Sequence, residues 1–433
     1  MPFPQPSKTS HNLLLFFAVF IGAAVPTLIL GRAVLAVIVV LALLMLITAG
    51  HFKSAANDFV EEIKKPLGLF IVLTAISWLP GALNSNFPVR SIEAVVRSPI
   101  LIVIAFLIYT VMKRDSYFQR ICQKSFILVT GLAALIAILS LTQWPELLWL
   151  IRFKDLNAIA FSDELRPVIV SNELKGFSAL AVLFIPVLLL YAYNFKKGWA
   201  IFVLIICVGL SFVVWETYNR AAIAGFLAAL ACLVLALCMR ATSKKHAFIY
   251  LFLVGFVAIA TISWLKISRG YYINLVPNEE WPLPVWLIDY ERQTIWRYVW
   301  DIAMTAPWLG IGANTINFTP GADAVIAGTH GLHVVPGHPH NWAMEILAET
   351  GTIGLLTLTV TIIAVFFQLL IKYRRSADLK YAAAVALMGG YWGSGLFNFS
   401  YWSAWWQLSF YLVMAMCLML NSKQTSSLET KAA

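Results

Sequence analysis

The sequence predicts an all-α integral membrane protein of about twelve transmembrane helices, with a helical loop before the tenth, and three observations carry that expectation. Hydrophobic residues make up 61% of the 433 positions and charged ones 12%, against about 45 to 50% and about 25% in soluble chains. The apolar residues fall in uncharged runs of roughly 17 to 25, the length of a bilayer-spanning helix. The segments between those runs alternate between basic and nearly uncharged.

In chain order the runs are Leu13 to Leu30, Ala33 to Ala49, Pro66 to Leu83, Ser91 to Met112, Ile121 to Leu141 and Leu174 to Asn194. They continue with Trp199 to Trp215, Arg220 to Met239, His246 to Lys266, Asn341 to Ile371, Tyr381 to Asn398 and Ala404 to Leu420. Cytoplasmic loops should be the basic ones. With the N-terminus inside, 19 of the 31 Lys and Arg fall in inward segments, so twelve spans with both termini cytoplasmic is self-consistent. The first run is long, lacks an A-x-A cleavage site and is followed at once by another, which reads as an uncleaved anchor. The tail Asn421 to Ala433 is polar and reads as a frayed end. No internal repeat or low-complexity linker divides residues 1–433, which read as a single membrane domain.

The net charge of +10 is accounted for by topogenic residues facing anionic lipid heads, so no nucleic-acid partner is implied. Cys122, Cys207, Cys232, Cys238 and Cys417 lie within spans or at their inward ends. That placement argues against disulfides and Cys-based metal sites.

Two outward segments are too long to be mere connections, Thr142 to Glu173 and Ile267 to His340. In the second, Ile295, Trp296, Val299, Trp300, Ile302 and Ala303 give helical spacing over Asp289 to Thr305, with Pro307 after the stop. Such a helix either lies at the outer membrane surface or packs on its neighbours as core. The Gly310-Ile311-Gly312 that follows has no preceding strand, so it reads as a tight turn and not as a dinucleotide fingerprint.

Four of the seven histidines, His330, His333, His338 and His340, fall within eleven residues just before a span. A metal site would use imidazole ligands, but Asp323 is the lone acidic residue in that stretch, so no metal is expected. Structural hydrogen bonding suits His330 and His333, and acid/base work suits His338 and His340. His340-Asn341 opens a helix, whose positive end disfavours a protonated imidazole and leaves it able to accept a proton. Glu345 and Glu349 lie one turn apart on that helix, where they either orient a partner or form a solvated face. Arg220 begins a span beside Glu216, and Arg292 and Arg297 lie on the loop helix. Mid-bilayer Arg costs about 2.5 to 3.5 kcal/mol, so such residues sit at an interface, snorkel (as expected for Arg32 and Arg97) or pair with an anion. A forked guanidinium also matches phosphate oxygens, which makes Arg220, Arg292 and Arg297 candidates for a lipid-linked diphosphate.

His340-Asn341, nine residues, Gly351, two residues and Gly354 resemble the H-N-x9-G-x-x-G signature of the O-antigen ligase and polymerase superfamily. Arg292 with Trp296, followed by Pro307 to Gly312, is similar to that family's R-x3-W and P-x-x-G-x-G stretch, and Arg220 in Asn219-Arg220-Ala221 matches more loosely its arginine at the start of a middle span. The resemblance implies glycan transfer from undecaprenyl diphosphate to a sugar hydroxyl of lipid A-core, at the periplasmic face of the bacterial inner membrane, without metal or other cofactor. It implies that His340 is the base, that Arg220 and Arg292 hold the diphosphate, and that Gly351 and Gly354 allow close helix packing; His338 matches no residue of the signature. Within the superfamily, one dominant outward loop and the lack of a large C-terminal extension favour a ligase over a repeat-unit polymerase or a protein O-glycosylating transferase. A transporter or flippase of the same lipid would bury charges at mid-membrane and show inverted repeats. Neither is evident here.

Overall fold

The computed structural model describes residues 8–154, 166–240, 243–269, 282–329 and 331–420. His330 and the tail Asn421 to Ala433 therefore lie outside the described residues. Among those described, the β-contact found is an isolated bridge between Val325 and His333, and the architecture is helical. The helices are α1 (Lys8–Ala24), α2 (Arg32–Thr48), α3 (Phe52–Ile63), α4 (Pro66–Leu83), α5 (Pro88–Arg114), α6 (Ser116–Thr142), α7 (Leu147–Ile151) and α8 (Arg166–Asn194). They continue with α9 (Lys197–Glu216), α10 (Arg220–Cys238), α11 (Lys244–Arg269), α12 (Tyr290–Thr305), α13 (Trp342–Ser376), α14 (Leu379–Gly395) and α15 (Ala404–Leu418).

Each of the twelve apolar runs falls on a helix, although the first outruns α1 and ends in a 3-10 turn over Pro26–Leu30. Eight of those helices, α4, α5, α6, α8, α9, α10, α11 and α13, are long and apolar enough to cross a membrane unaided. The other four runs fall on α1, α2 and α14, of 17 residues each, and on α15, of 15. At 1.5 Å per residue α15 is about 22 Å long, short of a hydrocarbon layer about 30 Å thick. The chain is thus an all-α polytopic membrane protein with eight full-length spans among the described residues, and with shorter apolar helices at both ends of the sequence.

The short helix α14 is buried by protein. Gly389 and Gly393 let it approach α10, where an added Cβ would stand 2.6 Å from the Ala228 carbonyl oxygen and 2.5 Å from the Ala228 side chain. Small residues at such contacts are how helices associate where lipid supplies no hydrophobic drive. α2 and α3 together are long and apolar enough for a ninth span, bent by 104° at the break between them, whereas α7 has five residues and α12 belongs to the long loop. The packed reading of α12 holds for Ile295, Val299 and Ala303, which are buried with Ile316, Ile326, Val335 and Ala348, while Trp300 is half-exposed.

The 35-residue helix α13 is interrupted. Gly351 has φ 68 and ψ −176, a left-handed break inside the helix. The segment Pro307 to Gly312 enters that break and takes over its hydrogen bonds. Ile311 N–H donates to the Ala348 carbonyl at 3.0 Å and Gly312 N–H to that of Glu349 at 2.9 Å, while Thr352 N–H donates to the Pro307 carbonyl at 2.8 Å. A tight turn was expected at Gly310 to Gly312. Its role is to splice the loop into the span below.

Candidate active site

Asn341 caps α13, its side-chain oxygen accepting from the N–H groups of Ala343 at 3.0 Å and Met344 at 3.2 Å. His340 precedes the cap with φ 56, a left-handed conformation uncommon for a residue with a Cβ. The imidazole is placed by Asn398, which follows α14: His340 Nδ1 is 3.0 Å from Asn398 Oδ1. That oxygen also accepts from Phe399 N–H at 2.9 Å, which fixes which end of the amide faces the ring. Nδ1 therefore donates, and Nε2 is left as the acceptor.

His340 N–H donates to Nδ1 of His338 at 3.1 Å, and the two rings meet at 4.3 Å between centroids. Burial, then the charge of Arg292, lowers the His340 pKa to about 4 despite the Asn398 hydrogen bond. Burial, then His340, lowers that of His338 to about 3. Both are neutral at physiological pH, as expected. The largest causes are desolvation and a neighbouring cation, neither of which the helix start alone supplies. His338 does not line the cavity described below, so its expected acid/base role gives way to a structural one, holding the backbone of His340.

Arg220 and Arg292 converge on one carboxylate. Asp289, the N-cap of α12, accepts from Arg292 N–H at 2.8 Å, pairs with Arg292 Nη1 at 2.7 Å and forms an ion pair with Arg220 Nη1. The expected neighbour of Arg220, Glu216, is not its partner. Arg292 Nη2 donates to the Phe397 carbonyl at 3.2 Å. Its Nε is buried with no hydrogen-bond partner among the described residues. Burial lowers the Arg292 pKa, but an arginine stays cationic. Arg297 is exposed. Five residues turn the helix by about 140°, which carries it away from Arg292 and out of the site, contrary to its expected place at a diphosphate.

A cavity of about 440 Å³ joins these groups. Arg220, Arg292, His340, Asn398, Asp289 and Lys175 all line it, with Glu291 and His333 at its edge. His333 Nδ1 lies 2.5 Å from the Asp323 carbonyl oxygen, the structural use expected of it. Three cations, Lys175, Arg220 and Arg292, face two carboxylates, Asp289 and Glu291, leaving one net positive charge beside a neutral imidazole. Among the described residues no group of three or more His, Cys, Asp and Glu is arranged to hold a metal. All five cysteines are free.

Lys175, Asp289 and Asn398 were missed by sequence reasoning. A charge one residue inside an apolar run was a usable signal for Lys175. Asp289 was read only as a helix start, and nothing local marks Asn398.

Glu345 and Glu349 form no solvated face; they are 2% and 0% exposed. Glu345 accepts from Ser400 Oγ at 2.7 Å and Tyr401 N–H at 2.6 Å. Glu349 accepts from the N–H groups of Asn314, Thr315 and Ile316 at 2.6 to 2.8 Å and from the Trp402 indole. The pair thus ties the spliced loop and the α14–α15 turn to α13. Arg97, expected to snorkel, donates to the Trp402 carbonyl at 2.8 Å and holds the same turn from α5.

Comparison with known proteins converges on the same region. Residues 210–359 match the family model of the O-antigen ligase domain, a stretch that contains Arg220, Asp289, Arg292, His340 and Gly351. Two similar proteins bear the name "Putative polysaccharide ligase", one from Rickettsia prowazekii and one from Rickettsia typhi. Each is 30% identical over 125 residues, covering 27% of this chain and 29% of its own length. A third with that name, from Rickettsia bellii, is 28% identical over 136 residues, covering 30% of this chain and 31% of its own. The likeness to the O-antigen ligase domain thus spans residues 210–359, and the chain matches less than a third of the length of each of these relatives.

Proposed function

We propose that the protein is an O-antigen ligase, which transfers a glycan from undecaprenyl diphosphate to a sugar hydroxyl of lipid A-core at the periplasmic face of the inner membrane. One observation carries the reading: an unprotonated imidazole and three cations share a cavity of about 440 Å³ at the end of the bundle where α10 and α13 begin. A base and an anion site side by side are what glycosyl transfer from a lipid diphosphate requires.

In this reading Nε2 of His340 takes the proton of the acceptor hydroxyl as its oxygen attacks the anomeric carbon. The bond from that carbon to the diphosphate oxygen breaks, and undecaprenyl diphosphate leaves with the electron pair. Arg220 and Arg292 hold the departing charge, with Lys175 as a third cation. Direct attack inverts the anomeric centre. The base contributes about 10²- to 10⁴-fold, and preorganised cations at the leaving group contribute on a similar scale. The leaving group is stabilised by its own phosphates, so the step needs neither nucleotide nor metal. One loop supplies both α12 and His340, which favours a ligase over a polymerase built on two loops.

Asp289 takes the place of an anion between the two arginines when no donor is present. A bound diphosphate also offsets the charge of Arg292 that depresses His340, so donor binding restores basicity to the imidazole.

The test is transfer by the purified protein, given lipid-linked donor, lipid A-core and a chelator, with His340→Asn as control because Asn tolerates the left-handed backbone. Product from the wild type alone is expected. Abolition by the chelator would overturn the metal-free step, and equal product from the variant would end the assignment of the base.

A further inference from the structure

A second and larger cavity, of about 820 Å³, lies toward the opposite end of the bundle. Helices α4, α5, α15, α14 and α13 contact one another in turn and close a ring around it. Its ceiling is aromatic: Trp78 meets Tyr401 edge-on at 5.6 Å, and Trp392 stacks on Tyr401 at 6.2 Å. Above that ceiling Glu345 holds the Tyr401 backbone, so the cavity is separate from the candidate active site.

The wall is largely hydrocarbon, with Ile71, Ile102, Phe106, Ile362, Val365 and Met414 among the lining side chains. Close-packed interiors do not keep a void of this size. Water would need two to four polar partners per molecule, and the hydroxyls on this wall, Thr74, Ser98, Thr110 and Thr361, already bond to the helices or to one another. The apolar part runs from Leu358 to Leu369 on α13 and from Ser98 to Thr110 on α5, about 17 to 18 Å by helical rise. That is close to half of a hydrocarbon layer about 30 Å thick, the depth of one acyl chain.

The mouth is charged and unbalanced. Lys65, Lys113, Arg114, Lys372 and Lys380 face Asp58, Glu61 and Glu62. Lys65 pairs with Glu62, Arg114 with Asp58 and Lys380 with the adjacent Asp378, which leaves five cations against four carboxylates, and the ammonium of Lys372 lies 5.8 Å over the Tyr381 ring. Asp58, Glu61 and Glu62 come from α3, the helix bent across this end. Basic pockets between transmembrane helices are sites for anionic lipid head groups.

We propose that this cavity is a binding site for one anionic glycerophospholipid, its acyl chain inside the five-helix ring and its phosphate at the Lys65 and Lys372 rim. The lipid belongs to the leaflet on the side away from the candidate active site, and it completes the packing of α4, α5 and α13 beneath the Trp78 ceiling.

The experiment uses the full-length protein purified in detergent and stripped of lipid, titrated with phosphatidylglycerol or with phosphatidylcholine of the same chains. Native mass spectrometry reads the adduct. One phosphatidylglycerol per chain is expected, with roughly tenfold preference over phosphatidylcholine. Lys65→Glu with Lys372→Glu, both at the rim where folding is not at stake, should remove the preference and leave residual binding. Ala75→Trp, which fills the cavity, should remove both. Equal binding of the two lipids, or a preference unchanged by the double charge reversal, would overturn the head-group assignment. No stoichiometric adduct, or an adduct unchanged in a folded Ala75→Trp protein, would overturn the site.

Discussion

Asn398 Oδ1 stands 3.0 Å from Nδ1 of His340 and is itself fixed by the Phe399 N–H, so one short turn after α14 decides which imidazole nitrogen is free. Asn398→Leu removes that control, and the ring can then present Nδ1 or rotate. Its transfer rate should fall by about 10²- to 10⁴-fold, the scale of losing a base or its tautomer, with donor affinity little changed. Asn398→Asp keeps an acceptor for Nδ1–H and adds a charge that favours imidazolium. It should retain more activity than Asn398→Leu and shift the acid limb of the rate upward. Identical rates in both variants would show that Asn398 does not position the base.

The same turn holds Arg292. Arg292 uses Nη1 for Asp289 and Nη2 for the Phe397 carbonyl, leaving its buried Nε unpartnered. A lysine supplies one point charge and cannot make these contacts together. Arg292→Lys should lower kcat/KM by about 10- to 100-fold, measured with a lipid-linked donor in detergent. Wild-type kinetics in that variant would reduce Arg292 to a charge without a phosphate role.

The pH profile follows from the neutral imidazole. A base acts when deprotonated, so kcat/KM should rise with pH through the His340 pKa of about 4 and be flat above it. Because a bound diphosphate favours imidazolium, the limb in kcat should lie at higher pH than the limb in kcat/KM. A kcat/KM limb near the ordinary histidine value would mean that neither burial nor Arg292 acts on this ring in solution.

The spans were legible because lipid imposes a pattern that each run carries on its own. Pro66 to Leu83 is α4 end to end, and Arg220 opens α10 as its charge suggested. The ends of the chain were harder, because α1, α2, α14 and α15 are shorter than an unaided span, and α14 owes its burial to neighbours that only folding supplies. At the site, His340 and Arg292 were found through motif spacing and Arg220 through its place at a span start. Asp289 and Asn398 were not, since their roles are contacts across 69 residues, from Asp289 to Arg220, and 58 residues, from Asn398 to His340. Arg297 shows the converse error: it shares a helix with Arg292 but not a face. The buried glutamates were misjudged because their partners are distant in sequence: for Glu349 the backbone N–H groups of the loop spliced in at Gly351, and for Glu345 the Ser400 hydroxyl and Tyr401 N–H of the α14–α15 turn.

That break gives the last prediction. Gly351 adopts φ 68, and a Cβ built there would stand 2.3 Å from the carbonyl carbon and oxygen of Trp308. Neither backbone can yield easily, because Trp308 and Pro307 are bonded to the far side of the break through Ile353 and Thr352. Gly351→Ala therefore meets both the left-handed penalty and a backbone clash, and should cost about 3 kcal/mol or more. At Gly354 the nearest atoms to a new Cβ are the Thr350 side chain at 2.2 Å and Trp78 Cδ1 at 2.8 Å. The Thr350 Cβ, at 2.5 Å, cannot rotate away, but none of these atoms is backbone and Gly354 does not share the positive φ of Gly351. Thermal unfolding in detergent should place Gly351→Ala well below Gly354→Ala, with Gly351→Asn no higher than Gly351→Ala, because φ 68 with ψ −176 is a conformation essentially confined to glycine and Asn brings the same Cβ. Close helix packing alone would rank the two alanine variants together, so equal melting temperatures would return Gly351 to the packing role expected of it. A Gly351→Ala protein that folds yet transfers no glycan would separate the splice from stability and tie it to the placement of His340, eleven residues upstream on the same helix start.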